Sequence, residues 1–163
     1  MNSVIRLCCC INRVSSTNPA FCGESIQDLL EENSSFRADI TLFPRLALCP
    51  PSSGAMLKSA AISHLCEESL DQLRLSSAQN GGCIIVVKSF YGKLTDVIAV
   101  IQNGEVLGFL PACGFNSPNT ISSAEGWYPA DSASSLLSWD TLFCCGDLKF
   151  CICPCPVKDL PLH

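Results

Sequence analysis

Charge is what this sequence has least of. Lys, Arg, Asp and Glu make up 15% of its 163 residues and leave a net charge of −5, where an ordinary soluble domain carries about a quarter charged residues. Sparse, negative charge excludes the basic footprint of a nucleic-acid binder or of a protein that docks on anionic membranes. Histidine is scarce too. His64 and His163 are the only two, no CxxC spacing occurs anywhere, and so no zinc-ligand set is expected. No apolar run approaches the roughly 18 residues of a membrane span. The opening MNSVIRLCCCINR has Arg6 inside its apolar part and Asn12 and Arg13 just beyond, which makes a poor secretory signal. No P-loop or other ATP-binding stretch is present, so no cofactor is expected.

Apolar residues and cysteine are plentiful. Apolar side chains reach 48% over 163 residues, enough for one domain with a sizeable core spanning residues 1–163. The cysteine count is 13, an odd number with no secretory signal before it, which predicts reduced thiols in a cytoplasmic protein rather than a disulfide framework. Cys8, Cys9 and Cys10 read as strand interior, and the alternating Cys151, Cys153 and Cys155 as small hydrophobes on a strand.

Periodicity sets the order of elements. Residues 4–11 read as a first buried strand, residues 12–23 as a loop and residues 25–36 as an amphipathic helix, with Ile26, Leu29, Leu30 and Phe36 inward. Residues 39–43 form a second strand parallel to the first. After the breaker-rich CPPSSG, residues 55–75 carry a long helix with Ile62, Leu65, Cys66, Ser69, Leu70 and Leu73 on one stripe; His64 lies close to that stripe as a structural residue. Residues 83–89 make a continuous apolar strand. TDVIAVIQ, the Asn103-Gly104 pair and EVLGFLP predict a hairpin. Residues 111–131 are a long loop whose Trp127 and Tyr128 cap the core, and residues 142–145 and 148–153 pair around the Gly146-Asp147 turn. The fold class is α/β with a mixed sheet.

The stretch ADITLFPRLAL, residues 38–48, stands out within that order. A short apolar strand ends at Pro44, which cannot continue a ladder, and Arg45 follows at the strand's C-terminal end. In sheets built from βα units, that end collects binding and catalytic side chains.

These residues resemble the nitrilase, or carbon–nitrogen hydrolase, superfamily. ADITLFPRLAL is similar to its strand and turn, and LTDVIAVIQNGEVLGFLPACGF to its hairpin segment. FPRLAL followed by CPPSSGAML, and later GWYPAD, look most like the N-terminal glutaminase domain of glutamine-dependent NAD synthetases. The resemblance implies a partial α-β-β-α sandwich and an amidase chemistry built on a cysteine nucleophile, a glutamate base and an oxyanion-stabilising lysine. It puts the nucleophile at Cys153, the glutamate position at Arg45 and the lysine position at Ala112.

Arginine stays protonated and cannot accept a thiol proton, and alanine offers no charge to an oxyanion. The resemblance therefore implies a catalytically impaired domain. Glu125 is the candidate substitute base should activity survive. A thiol-reactive role is the third reading, with the Arg45 cation favouring a Cys153 thiolate without offering it a base. Ten residues follow Cys153, whereas the family continues with the rest of its sandwich. The expectation is a chain truncated after the nucleophile strand, with apolar surface covered by self-association or by a synthetase-type partner.

Overall fold

In the computed structural model of the protein, residues 4–44, 46–50, 52–53, 56, 59–79, 84–91, 95–111, 137, 141–145 and 147–152 are described. The elements run β1 (Leu7–Cys9), α1 (Pro19–Glu32), β2 (Ile40–Leu42), α2 (Ala60–Ser77), β3 (Ile84–Tyr91), β4 (Thr95–Gln102), β5 (Glu105–Pro111), β6 (Phe143–Cys145) and β7 (Leu148–Phe150). Five strands form one sheet in the order β1-β2-β3-β4-β5, and β6 and β7 pair separately. The pairs β1–β2 and β2–β3 are parallel, while β3–β4 and β4–β5 are antiparallel.

Helix α2 runs Ala60–Ser77 rather than 55–75, and Phe36, read as inward on the first helix, lies beyond its end at Glu32 and is 67% exposed; α1 and β1 differ from the sequence reading most. Helix α1 starts at Pro19, inside the stretch read as a loop, because Asn18 is an N-cap whose Oδ1 accepts the Phe21 N–H at 3.1 Å and Pro19 fills the first helical position. The β1 ladder is three residues long rather than a buried run over residues 4–11. It is an edge strand whose one neighbour, β2, is itself cut short by Pro44, so Leu7 stays 57% exposed.

The Asn103-Gly104 hairpin forms as read. Both turn residues take positive φ, 51° and 81°, the requirement of a type I′ turn. The end of α2 clamps it: Arg74 Nη1 donates to the Gly104 carbonyl at 2.7 Å, and the Gly104 N–H donates to Ser77 Oγ at 2.8 Å.

Apolar side chains then sort to the two faces of the sheet. Cys22, Ile26 and Leu30 of α1 and Ile62, Cys66, Leu70 and Leu73 of α2 pack with Ile85, Ala99 and Ile101. A second cluster joins Ile40, Val100 and Leu110 to Phe143 of β6, and the Phe143 and Phe150 rings stack at 5.3 Å. The helices approach closely at Gly23, where an added Cβ would lie 3.3 Å from Ser69 Cβ. His64 stands exposed on α2, 3.7 Å from Glu68.

Candidate functional site

The parallel register fixes which strand ends share an edge. Leu42 pairs with Val86, Val86 with Val100 and Val100 with Gly108. Since β5 runs parallel to β3, the C-terminal ends of β2, β3 and β5 lie along one edge of the sheet. The chain leaves β2 there towards position 45 and leaves β5 at Pro111 towards position 112. Arg45, Ala112 and Cys153 themselves lie outside the described residues, as do Glu125, Trp127 and Tyr128. Their described neighbours fix the approach: Pro44 and Leu46 around the first, Pro111 before the second, and Ile152, which packs with the second apolar cluster, before the third.

The turn that follows Arg45 is strained and buried. Leu46 has φ 58°, a left-handed conformation that costs a branched residue about 1–2 kcal/mol, and Leu46, Ala47, Leu48 and Cys49 are all buried. One side chain carries much of the restraint. Asn12, beyond the end of β1, donates through Nδ2 to Ala47 O at 2.9 Å, Arg13 O at 3.1 Å and Cys22 O at 3.5 Å. Three carbonyls fix the orientation of this amide, because the flipped form would aim oxygen at oxygen. Asn12 Oδ1 is left buried without a hydrogen-bond partner. Strain and an unmet acceptor beside a strand end are features that packing alone does not favour and that concentrate at functional sites.

Three thiols meet at this turn, one of them belonging to it. Cys22, Cys49 and Cys66 are between 0% and 1% exposed. Cys49 lies 3.5 Å from Ser53 Oγ, and Ser53 Oγ in turn accepts the Thr17 N–H at 3.1 Å, so the loops after β1 and β2 are sewn together through it. A hydrogen bond from Cys66, helped by Ser53 and opposed by burial, lowers the Cys49 thiol to about 7 from its ordinary 9.0. Burial pushes the Cys22 thiol upward, partly offset by its hydrogen bond with the Ser15 backbone. Among the described residues no group of three His, Cys, Asp or Glu side chains could hold a metal ion. Little in the sequence signals this cluster: its members are 27 and 17 residues apart along the chain, and Cys22 falls in a stretch that reads as loop. An open groove of about 680 Å³ between α1 and α2, with Glu24, His64, Glu67 and Glu68 in its walls, shares none of these residues.

By sequence the chain matches no protein-family model and no curated protein. Its fold matches solved structures throughout. A glutamine-dependent NAD(+) synthetase from Cytophaga hutchinsonii superposes with a TM-score of 0.60 at 14% identity, over 91% of this chain and 25% of that one. An amidase from Nesterenkonia sp. gives 0.60 at 12% identity, over 89% and 53%. The glutamine-dependent NAD+ synthetase from Acinetobacter baumannii gives 0.58 at 15%, over 88% and 27%. The Nesterenkonia amidase is of the nitrilase superfamily. The strand ends and the comparisons together define a nitrilase-like α/β fold. Within that class the chain is similar to the NAD synthetases and the amidase just described, and it spans between 25% and 53% of their lengths.

Proposed function

We propose that this chain is a carbon–nitrogen hydrolase-like domain, related to the glutamine amidohydrolase part of NAD synthetase and so to NAD biosynthesis, in which catalysis is impaired. The observation that carries the reading is the identity of the residues that follow two strand ends on one edge of the sheet. Position 45, after β2, is arginine, and position 112, after β5, is alanine. With Cys153 as nucleophile, an amide carbonyl would need its attacking thiol deprotonated and its oxyanion neutralised. A guanidinium does not take up the proton, and a methyl group does not stabilise the charge.

Loss of a general base costs about 10²–10⁴ in rate and loss of an oxyanion donor about 10²–10³, with the two effects overlapping because such groups act as a unit. The two described layers of helix and five-stranded mixed sheet, with β6 and β7 on the far face, are on this reading part of an α-β-β-α sandwich. A second copy of the chain or a synthetase-type partner completes it. A cytoplasmic setting suits the nine described cysteines, which form no disulfide with one another.

Ammonia release from glutamine tests the proposal. The purified chain is expected to release none above a Cys153→Ala control. Release that vanishes in Cys153→Ala would overturn impairment, and its further loss in Glu125→Gln would favour the reading in which Glu125 replaces the base.

A further inference from the structure

We propose that the open edge of β1 is a self-association surface, on which a second copy of this chain adds its own β1 antiparallel across a two-fold axis at Cys8. The inference rests on the β1 edge and not on the amidase reading.

The ladder with β2 sets which backbone groups are left over. The Arg6 N–H donates to Asp39 Oδ2 at 2.7 Å, the Arg6 carbonyl accepts the Ile40 N–H at 3.2 Å, and the Cys10 N–H donates to the Leu42 carbonyl at 2.9 Å. In a parallel ladder such bonds come from every second residue, so positions 6, 8 and 10 turn their main chain towards β2. Leu7 and Cys9 then aim their N–H and C=O groups outward, and among the described residues β1 has no strand but β2 beside it. Such an edge templates another strand unless charge or proline blocks it. Residues 7–12 carry neither, and Arg6, just before them, folds its guanidinium back to the Phe36 and Arg37 carbonyls at 3.4 Å. Alternation puts Leu7 and Cys9 on the face away from α1, since Cys8 and Cys10 pack in the cluster beneath the helices. Both are exposed there, as are Ile5 and Ile11 on the same alternation.

A second copy matches this edge because an isologous contact needs a surface complementary to itself. Antiparallel pairing centred on Cys8 sets Leu7 opposite the partner's Cys9 and Cys9 opposite the partner's Leu7. Those are the residues with outward backbone groups, so both pairs exchange N–H···O bonds. Centring on Leu7 or Cys9 instead would leave part of this three-residue strand unpaired. Apolar side chains then meet along the far face, and Arg6 falls opposite the partner's Cys10, so no like charges are opposed. A net charge of −5 sets two copies against each other, which favours contact through this uncharged strip. Cys8 faces the partner's Cys8 as a non-hydrogen-bonded pair, whose Cα atoms lie about 4.5 Å apart. That is within the roughly 4.4–6.8 Å that a disulfide spans, so the two sulfurs report the register.

Sedimentation of the reduced full chain at micromolar concentration is expected to show a dimer. Leu7→Lys places a charge at an already exposed position, so folding is spared, and it should weaken association at least about 100-fold because the change enters the interface twice. Cys9→Pro removes an outward N–H and none of the β2 ladder, and should act likewise. Leu75→Lys, at a comparably exposed position on α2, should leave the dimer intact. For the register, diamide takes up the two hydrogens as two thiols join, remaining thiols are blocked, and trypsin frees residues 7–13 between Arg6 and Arg13. Two copies of that peptide joined by a disulfide are expected from wild type and from Cys9→Ser, and none from Cys8→Ser. The proposal is overturned by a monomeric wild type, by a dimer that survives both Leu7→Lys and Cys9→Pro, or by a linked pair that is lost in Cys9→Ser and kept in Cys8→Ser. Each of those results leaves the amidase reading untouched, since ammonia release alone decides it.

Discussion

Stability should rise with pH between about 7 and 9, because Cys49 loses its proton more readily in the folded chain than in the unfolded one. The folded thiol titrates at about 7 and its ordinary value is 9.0. A depressed folded value means that stability is gained above it and lost as pH falls through it. A shift of about two pH units bounds the whole effect at about 3 kcal/mol, and the linkage integral between about pH 6 and about pH 8.5 is about 2 kcal/mol. Cys22 and Cys145, both pushed up by burial, act in the opposite sense, but only above 9, where unfolded thiols ionise and these do not. The stability curve should therefore climb to a maximum near 9 and then turn over. Urea unfolding in the presence of a reductant, followed by tryptophan fluorescence at the two pH values, measures the climb. Cys49→Ala should flatten it while leaving the fall above 9. Parallel pH profiles for wild type and Cys49→Ala, or a fall in stability between 7 and 9, would refute the assignment of a low-titrating thiol to this buried turn.

Two further substitutions test the packing around the strand ends. Asn12→Ala removes the donor that serves Ala47 O, Arg13 O and Cys22 O, and should cost about 1–3 kcal/mol in urea unfolding, since buried carbonyls are left unmet; a neutral result would mean that the left-handed turn at Leu46 holds itself. Gly23→Val places a branched side chain where even a Cβ would lie 3.3 Å from Ser69 Cβ. It should destabilise by about 1–3 kcal/mol through crowding of α1 against α2, and an unchanged midpoint would show that the helices can separate freely.

How much was legible follows from what kind of signal each element carries. The Asn103-Gly104 turn was readable because two positive φ values demand those residue types locally. The end of β2 was readable because Pro44 lacks a donor. The start of α1 was missed although Asn18-Pro19 is a cap signal, since surrounding Ser, Thr and Asn residues mimic a loop, and Cys22 and Gly23 give no strong apolar period. The exposure of β1 could not be read from its composition: LCC is apolar whether its strand lies at the centre of a sheet or at its edge, and position in the sheet is set by partners far along the chain. The cluster of Cys22, Cys49 and Cys66 was invisible for the same reason, because proximity of thiols from α1, a turn and α2 exists only after the helices pack. Positions 45, 112 and 153 were assigned through resemblance rather than through spacing, the first two as departures from the family's chemistry and the third as its retained cysteine; all three lie outside the described residues, and the fold of the solved amidase and synthetases bears on the order of elements alone.

The division of the sheet into a parallel half and an antiparallel half has a consequence for the order of assembly. Strands β3 and β4 are separated by three residues of sequence and β4 and β5 by two, so they can zip from the Asn103-Gly104 corner on the microsecond scale of a hairpin. Closing Leu7 onto Ile40 and Ile40 onto Ile84 instead requires loops that enclose a whole helix each, with the entropy of that closure spent before any ladder forms. On the ribosome β1 thus finds its place late, waiting for a partner that has still to be translated.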